Sequence, residues 1–104
     1  MAIIERRIFY GKVGKAGELV EGVLEFFKVL TSAGVDSDIR ILTDYQSGRS
    51  DRVVYEMEAD SIGAIEGLMA RLMEEPSLQK AFGELEGKLK DLITHTEVEH
   101  WQVQ

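Results

Sequence analysis

Arg7, Arg40, Glu56 and His100 are the residues of this sequence best suited to acid–base chemistry. A pair of arginines grips a carboxylate or an enolate with parallel N–H bonds, and a glutamate beside it can take a proton. A histidine gives or takes one near neutral pH. These residues belong to a wider set (Glu5, Arg7, Arg40, Glu56, Glu58 and Glu99) whose alternation with apolar residues reads as strand. Antiparallel pairing is expected to bring Arg7 between Glu56 and Glu99, and Arg40 beside Glu56 or Glu58, on the sheet face away from the helices. A ladder of cross-strand ion pairs, each contributing roughly 0.2–1 kcal/mol, fits the same pattern without any chemistry. His100, flanked by Glu99 and Trp101, fits an acid, a base, a metal ligand or a side chain hydrogen-bonded at a subunit seam. His95 is expected in a turn, solvated.

Tyr10, Tyr55 and Trp101, together with Tyr45, could line a slot for a flat aromatic ligand, although aromatic residues on strands also serve as core. No metal or cofactor is expected. Cysteine is absent, His95 and His100 are the only histidines, and no His-Glu-x-x-His spacing exists. Gly11, Gly14 and Gly17 around Lys12 and Lys15 lack the spacing of a phosphate loop and read as a turn opening a helix. Met57, Met69 and Met73 sit at core spacing.

Seven elements must position these side chains. Ile3 to Tyr10 forms a first strand with apolar residues on both faces. Ala16, Leu19, Val20, Val23, Phe26, Phe27 and Leu30 recur at three and four, the stripe of an amphipathic helix that Gly34 closes. Strand two spans Asp38 to Tyr45, a polar turn covers Gln46 to Asp51, and strand three runs from Arg52 to Ala59. Asp60 and Ser61 supply capping oxygens for a second helix striped by Ile62, Ile65, Leu68, Met69, Leu72 and Met73. Pro76, which has no amide hydrogen, interrupts it, and a further helix starts near Ser77. Thr96 to Val103 alternates as a fourth strand. The order β-α-β-β-α-(α)-β defines an α+β, ferredoxin-like fold: a four-stranded antiparallel sheet with helices on one face, strands one and three central. The bare face, expected to hold Leu42, Val54, Phe9 and Trp101, has too much apolar surface to stay wet, and a second copy is the simplest cover.

At 104 residues, with 44% hydrophobic and 30% charged residues and one proline, the chain is the size of one ordinary domain, 1–104. No apolar run is long enough to cross a membrane, and charges cut the N-terminal run after Ile3 and Ile4, unlike a signal peptide. A cytoplasmic protein is expected. Nineteen acidic residues against twelve basic ones give a net charge of −7, which counts against a nucleic-acid partner because phosphates must be neutralised.

Several segments look like a known group. Val13-Gly14-Lys15 resembles the Pro-Gly-Lys entry to helix one of dimeric α/β-barrel proteins. Ile41 to Gly48, the valine-rich strand after it and Ala59-Asp60-Ser61 resemble the hairpin of NIPSNAP-like members. Glu99-His100-Trp101-Gln102-Val103 is similar to their Glu-x-Trp-x-Val ending. The resemblance implies the ferredoxin-like fold and a homodimer. It also implies a superfamily containing cofactor-independent monooxygenases of polycyclic aromatics, haem-degrading monooxygenases and lactone isomerases. Ala33-Gly34-Val35-Asp36-Ser37 replaces the Glu-Pro-Gly-Cys segment of the antibiotic monooxygenases, and helix two has no histidine. The chain has no asparagine, whereas haem degraders carry one on strand one. Three functions follow as expectations: a dimeric barrel binding a small apolar or aromatic molecule, a cofactor-independent oxygenase or isomerase, or an interaction module pairing through an edge strand.

Overall fold

The computed structural model of the protein describes residues 2–35, 38–44 and 51–104. The elements run β1 (Ile3–Gly11), α1 (Ala16–Ser32), β2 (Asp38–Thr43), β3 (Arg52–Ala59), α2 (Ile62–Glu74), α3 (Pro76–Leu92) and β4 (Ile93–Gln102). Of the expected turn from Gln46 to Asp51, all but Asp51 lies outside the described residues, as does Tyr45.

Local chemistry sets the boundaries. Gly34 takes φ +82°, so the Val35 N–H reaches the Leu30 carbonyl and the Gly34 N–H reaches that of Thr31, closing α1 with a Schellman turn. The Ser61 hydroxyl accepts a hydrogen bond from the Ala64 N–H and caps α2. Pro76 is not merely a break: it opens α3 as its first residue, where a missing N–H costs nothing. β4 begins at Ile93, three residues earlier than its alternation indicates, because the backbone turns extended directly after Leu92 without loop residues. His95 is therefore a strand residue. Its ring stacks on Tyr10 at 4.3 Å and 8°; this corrects the expected turn, while the side chain is exposed as expected.

The sheet order is β2-β3-β1-β4, all antiparallel, with β1 and β3 central as the topology requires. Its register arranges side chains in rows. On the helix side these are Ile39–Met57–Glu5–His100, Ile41–Tyr55–Arg7–Val98 and Thr43–Val53–Phe9–Thr96. On the opposite side they are Asp38–Glu58–Ile4–Trp101, Arg40–Glu56–Arg6–Glu99, Leu42–Val54–Ile8–Glu97 and Asp44–Arg52–Tyr10–His95. Phe9 and Val53 pack beneath Leu19, Val23, Phe26, Leu30, Leu72, Leu78, Leu85 and Leu92 in one core. Phe9 therefore faces the helices and not the bare side. Of the α2 stripe, Ile65 and Leu72 are buried, whereas Ile62, Met69 and Met73 are exposed.

The loop end of the sheet is closed by backbone. The Gly11 N–H donates to the Asp51 carbonyl at 2.9 Å, and Asp51, at φ +61°, holds its carboxylate 3.4 Å from the Ala16 N–H at the start of α1. A Cβ on Gly11 would lie 2.3 Å from the Asp51 oxygen. Gly11→Ala should therefore destabilise the protein by about 1–3 kcal/mol. At Gly17 a Cβ meets nothing within 4 Å, and Gly17→Ala, inside α1, should stabilise it by about 0.4–1 kcal/mol. Thermal melts of the two variants moving in opposite directions would verify both.

Candidate functional site

Between the sheet and the helices lies a cavity of about 250 Å³. Its walls are apolar and rich in rings: Phe9 from β1, Phe26 and Phe27 from α1, Phe82 from α3, with Leu68 and Met69 from α2. Exposed lining residues (Met69, Glu86 and Thr96) mark where it meets solvent. One corner is polar, where Glu5, Arg7 and Tyr55 reach the cavity from adjacent strands. The alternation of β1 sends its odd residues toward the helices, so the same parity that buries Phe9 carries Glu5 and Arg7 inward.

Glu5 is the centre of this corner and the buried charged residue of the core, 7% exposed. The Tyr55 hydroxyl donates to its Oε2 at 2.7 Å, and His100 Nε2 lies 3.2 Å from its Oε1. A carboxylate removed from water needs such partners, since an unpaired buried charge is severely destabilising. Tyr55 is fixed by its own packing, edge-on to Phe27 at 5.2 Å and tilted against Phe9. Burial, and then the negative charge and hydrogen bond of Glu5, push the Tyr55 phenol well above the ordinary tyrosine range, while Arg7 opposes the shift. Tyr55 is thus a hydrogen-bond donor throughout the physiological range. His100 is half open to water, its side chain 42% exposed. The cluster runs from a dry cavity wall, through Glu5, to a solvated imidazole.

A raised tyrosine pKa carries a stability consequence. The protonated phenol is favoured in the folded state, so its contribution is complete below the unfolded pKa of about 10 and is lost as pH rises above it. Stability should fall from about pH 10 upward with a slope of up to about 1.4 kcal/mol per pH unit from this group alone. Denaturant melts from pH 9 to 11.5 should show the slope in the native protein and a shallower one in Tyr55→Phe.

The residues singled out by sequence divide across the sheet. Arg7, Tyr55 and His100 gather around Glu5 on the helix side. Arg40 and Glu56 lie on the other side, hydrogen-bonded to each other at 2.6 and 2.8 Å, with Arg6 Nε 3.7 Å from the same glutamate. The residue between Glu56 and Glu99 is accordingly Arg6 and not Arg7. This correction follows from register: a step of one residue exchanges every side chain between faces. Tyr10 and Trp101 also lie on the outer side, at opposite ends of the sheet, Tyr10 on His95 and Trp101 beside Ile4 with its indole N–H donating to Glu99. They do not share a slot with Tyr55. Glu5, expected with the charged set on the outer face and not among the four acid–base candidates, instead lies on the helix side at the centre of the corner; its position two residues before Arg7 and four before buried Phe9 was the available sign. Among the described residues no group of three or more His, Asp or Glu side chains converges as a metal site requires, and no helix is long and apolar enough to cross a membrane.

No protein-family model matches the sequence, and no curated protein matches it. Solved structures do. The chain superposes on an uncharacterised NIPSNAP domain protein from Burkholderia xenovorans with a TM-score of 0.78 and 18% identity, over 98% of this chain and 94% of that one. It superposes on a dimeric protein of unknown function with a ferredoxin-like fold from Bacteroides fragilis at 0.69 and 11%, over 98% and 96%. SnoaB, a cofactor-independent oxygenase from Streptomyces nogalater, superposes at 0.67 and 10%, over 99% and 93%. The chain has the ferredoxin-like fold that NIPSNAP-family proteins and this oxygenase share. At these identities, the likeness is one of fold.

Proposed function

We propose that the protein is a homodimer that binds a small apolar or aromatic molecule in the cavity between sheet and helices. The ring-lined cavity with a single polar corner carries this reading: apolar walls supply affinity and a few fixed polar groups supply orientation. At about 250 Å³ it exceeds the roughly 150 Å³ that holds benzene in an engineered core and falls below most drug-sized sites. One or two rings fit. Two-ring 2-naphthol is a suitable probe, with a Kd on the order of 0.1 mM expected for a ligand of its size. Titration calorimetry showing no heat and no protection against melting at millimolar probe would remove the reading.

The outer face supports a second copy. The row Arg40–Glu56–Arg6–Glu99 alternates in charge, and a two-fold axis running along the strands reverses it, so that each charge meets its opposite. Leu42, Ile8, Ile4 and Trp101 flank that row as apolar surface, and Trp101 is 56% exposed in the single chain. A dimeric neighbour of the same fold is consistent with this arrangement. Tryptophan emission should be blue-shifted at micromolar protein and move red on dilution. A water-exposed emission maximum that does not change with concentration would place Trp101 outside any interface.

Catalysis is the second reading, a cofactor-independent oxygenase or isomerase. The chain of hydrogen-bonding groups from Tyr55 through Glu5 to His100 favours it, because such a chain can carry a proton between cavity and solvent.

A further inference from the structure

Resting on the cavity as the ligand site, we infer that Glu5 is a general base that removes a proton from a carbon next to a carbonyl, so that the substrate class is one- or two-ring ketones with an enolisable C–H. A carboxylate fixed at the wall of an apolar cavity can take a proton from a substrate held against it, with no water between them to compete. Glu5 meets that condition, being buried at the cavity corner. Two further observations distinguish it from a merely buried side chain. Arg7 lines the same corner and offers a fixed positive charge to an oxyanion. His100, 3.2 Å from Glu5 Oε1 and open to water, gives the proton a way out.

In the step, the C–H bond breaks and its proton goes to Glu5. The electron pair moves into a C–C double bond, and the carbonyl π pair goes to oxygen as an enolate facing Arg7. The proton on Glu5 passes through His100 to water, or returns to carbon. In heavy water the net change is replacement of carbon-bound hydrogen by deuterium, with no oxidant or reductant. Glu5 is the catalytic residue and His100 a positioning and relay residue acting through it.

The test uses 2-tetralone, a two-ring ketone with enolisable methylenes. Its hydrogen–deuterium exchange is followed by NMR at neutral pD, with its binding measured in parallel by calorimetry. The native protein should speed exchange about 100-fold or more over buffer. Glu5→Gln should lose most of that acceleration while binding the ketone within about threefold of the native protein. His100→Ala should lose about tenfold and recover when imidazole is added, a rescue that a purely structural role would not give. Should Glu5→Gln fail to fold, the imidazole rescue decides alone, and a His100→Ala protein with the native exchange rate overturns the inference. Ketone that binds without faster exchange, or Glu5→Gln that exchanges at the native rate, also overturns it and leaves the cavity reading standing. Failure of the native protein to bind removes both.

Discussion

If the native chain pairs through its outer face as proposed, placing a glutamate at Ile8 should leave the protein monomeric at concentrations where the native chain dimerises. Ile8 is central on the outer face, between Val54 of β3 and Glu97 of β4 and one row from the Arg6–Glu56 pair. In the proposed dimer a two-fold axis brings every substituent in twice, so Ile8→Glu would bury two carboxylates in the apolar part of the seam. Each costs several kcal/mol when left without a partner. A loss of that size raises the dissociation constant by more than a thousandfold. Trp101→Ala should act more mildly: an aromatic anchor that is exposed in one copy and covered in two commonly contributes about 2 kcal/mol or more, or roughly thirtyfold. Light scattering of the three proteins at micromolar concentration separates these outcomes. A native chain that elutes with the mass of one copy would remove the dimer and the explanation of the outer face together.

Tyr55→Phe should be the most damaging small change in the cavity corner. The variant leaves Glu5 Oε2 inside the fold without the hydroxyl that now donates to it at 2.7 Å. Hydrogen bonds to charged groups contribute about 1.5–3 kcal/mol, and the uncompensated acceptor adds to the loss. Replacing both partners, as in Glu5→Leu with Tyr55→Phe, removes the orphaned charge along with the donor and should regain much of the lost stability. Denaturant melts of the two single variants and the double variant form a cycle whose coupling energy should reach about 1–3 kcal/mol. A coupling near zero would mean that the contact does not hold Tyr55 and Glu5 together. A double variant as stable as the native protein, yet unable to bind 2-naphthol, would show that the pair is kept for the ligand.

Most of the fold can be read in the sequence because its elements carry strong local signs. The three-and-four spacing from Ala16 to Leu30, Gly34 after it, Ser61 before α2 and Pro76 at α3 each constrain the backbone without help from distant residues. Which way β1 faces is not local. Its apolar residues fall on both sides, Ile3 and Phe9 on one and Ile4 and Ile8 on the other, so alternation alone does not say which set belongs to the core. The decision comes from Phe9 and Val53 packing under the helices, a contact between distant parts of the chain. Once that is fixed, Glu5 and Arg7 follow inward and Arg6 outward. The charged residues thus separate into two structures that look like one in sequence: an ion-pair ladder on the outer face, with Arg40, Glu56 and Arg6, and a cluster on the inner one, with Arg7, Tyr55 and His100 around the buried Glu5. The start of β4 escapes for a related reason. A helix that passes into a strand at Leu92 and Ile93 without loop residues leaves no turn chemistry to read.

Filling the cavity tests the central claim most directly. Leu68 lines it from α2, and Leu68→Trp should occupy the space a ligand would take while leaving the core beneath Leu19 and Leu78 intact. Met69→Trp, at the exposed rim, provides a second obstruction that does not disturb packing. Calorimetric titration with 2-naphthol should give binding on the order of 0.1 mM in the native protein and at least tenfold weaker binding in both variants, with melting temperatures within a few degrees of native. Folded variants that bind the probe as tightly as the native protein would contradict the account and place any ligand site elsewhere on the molecule.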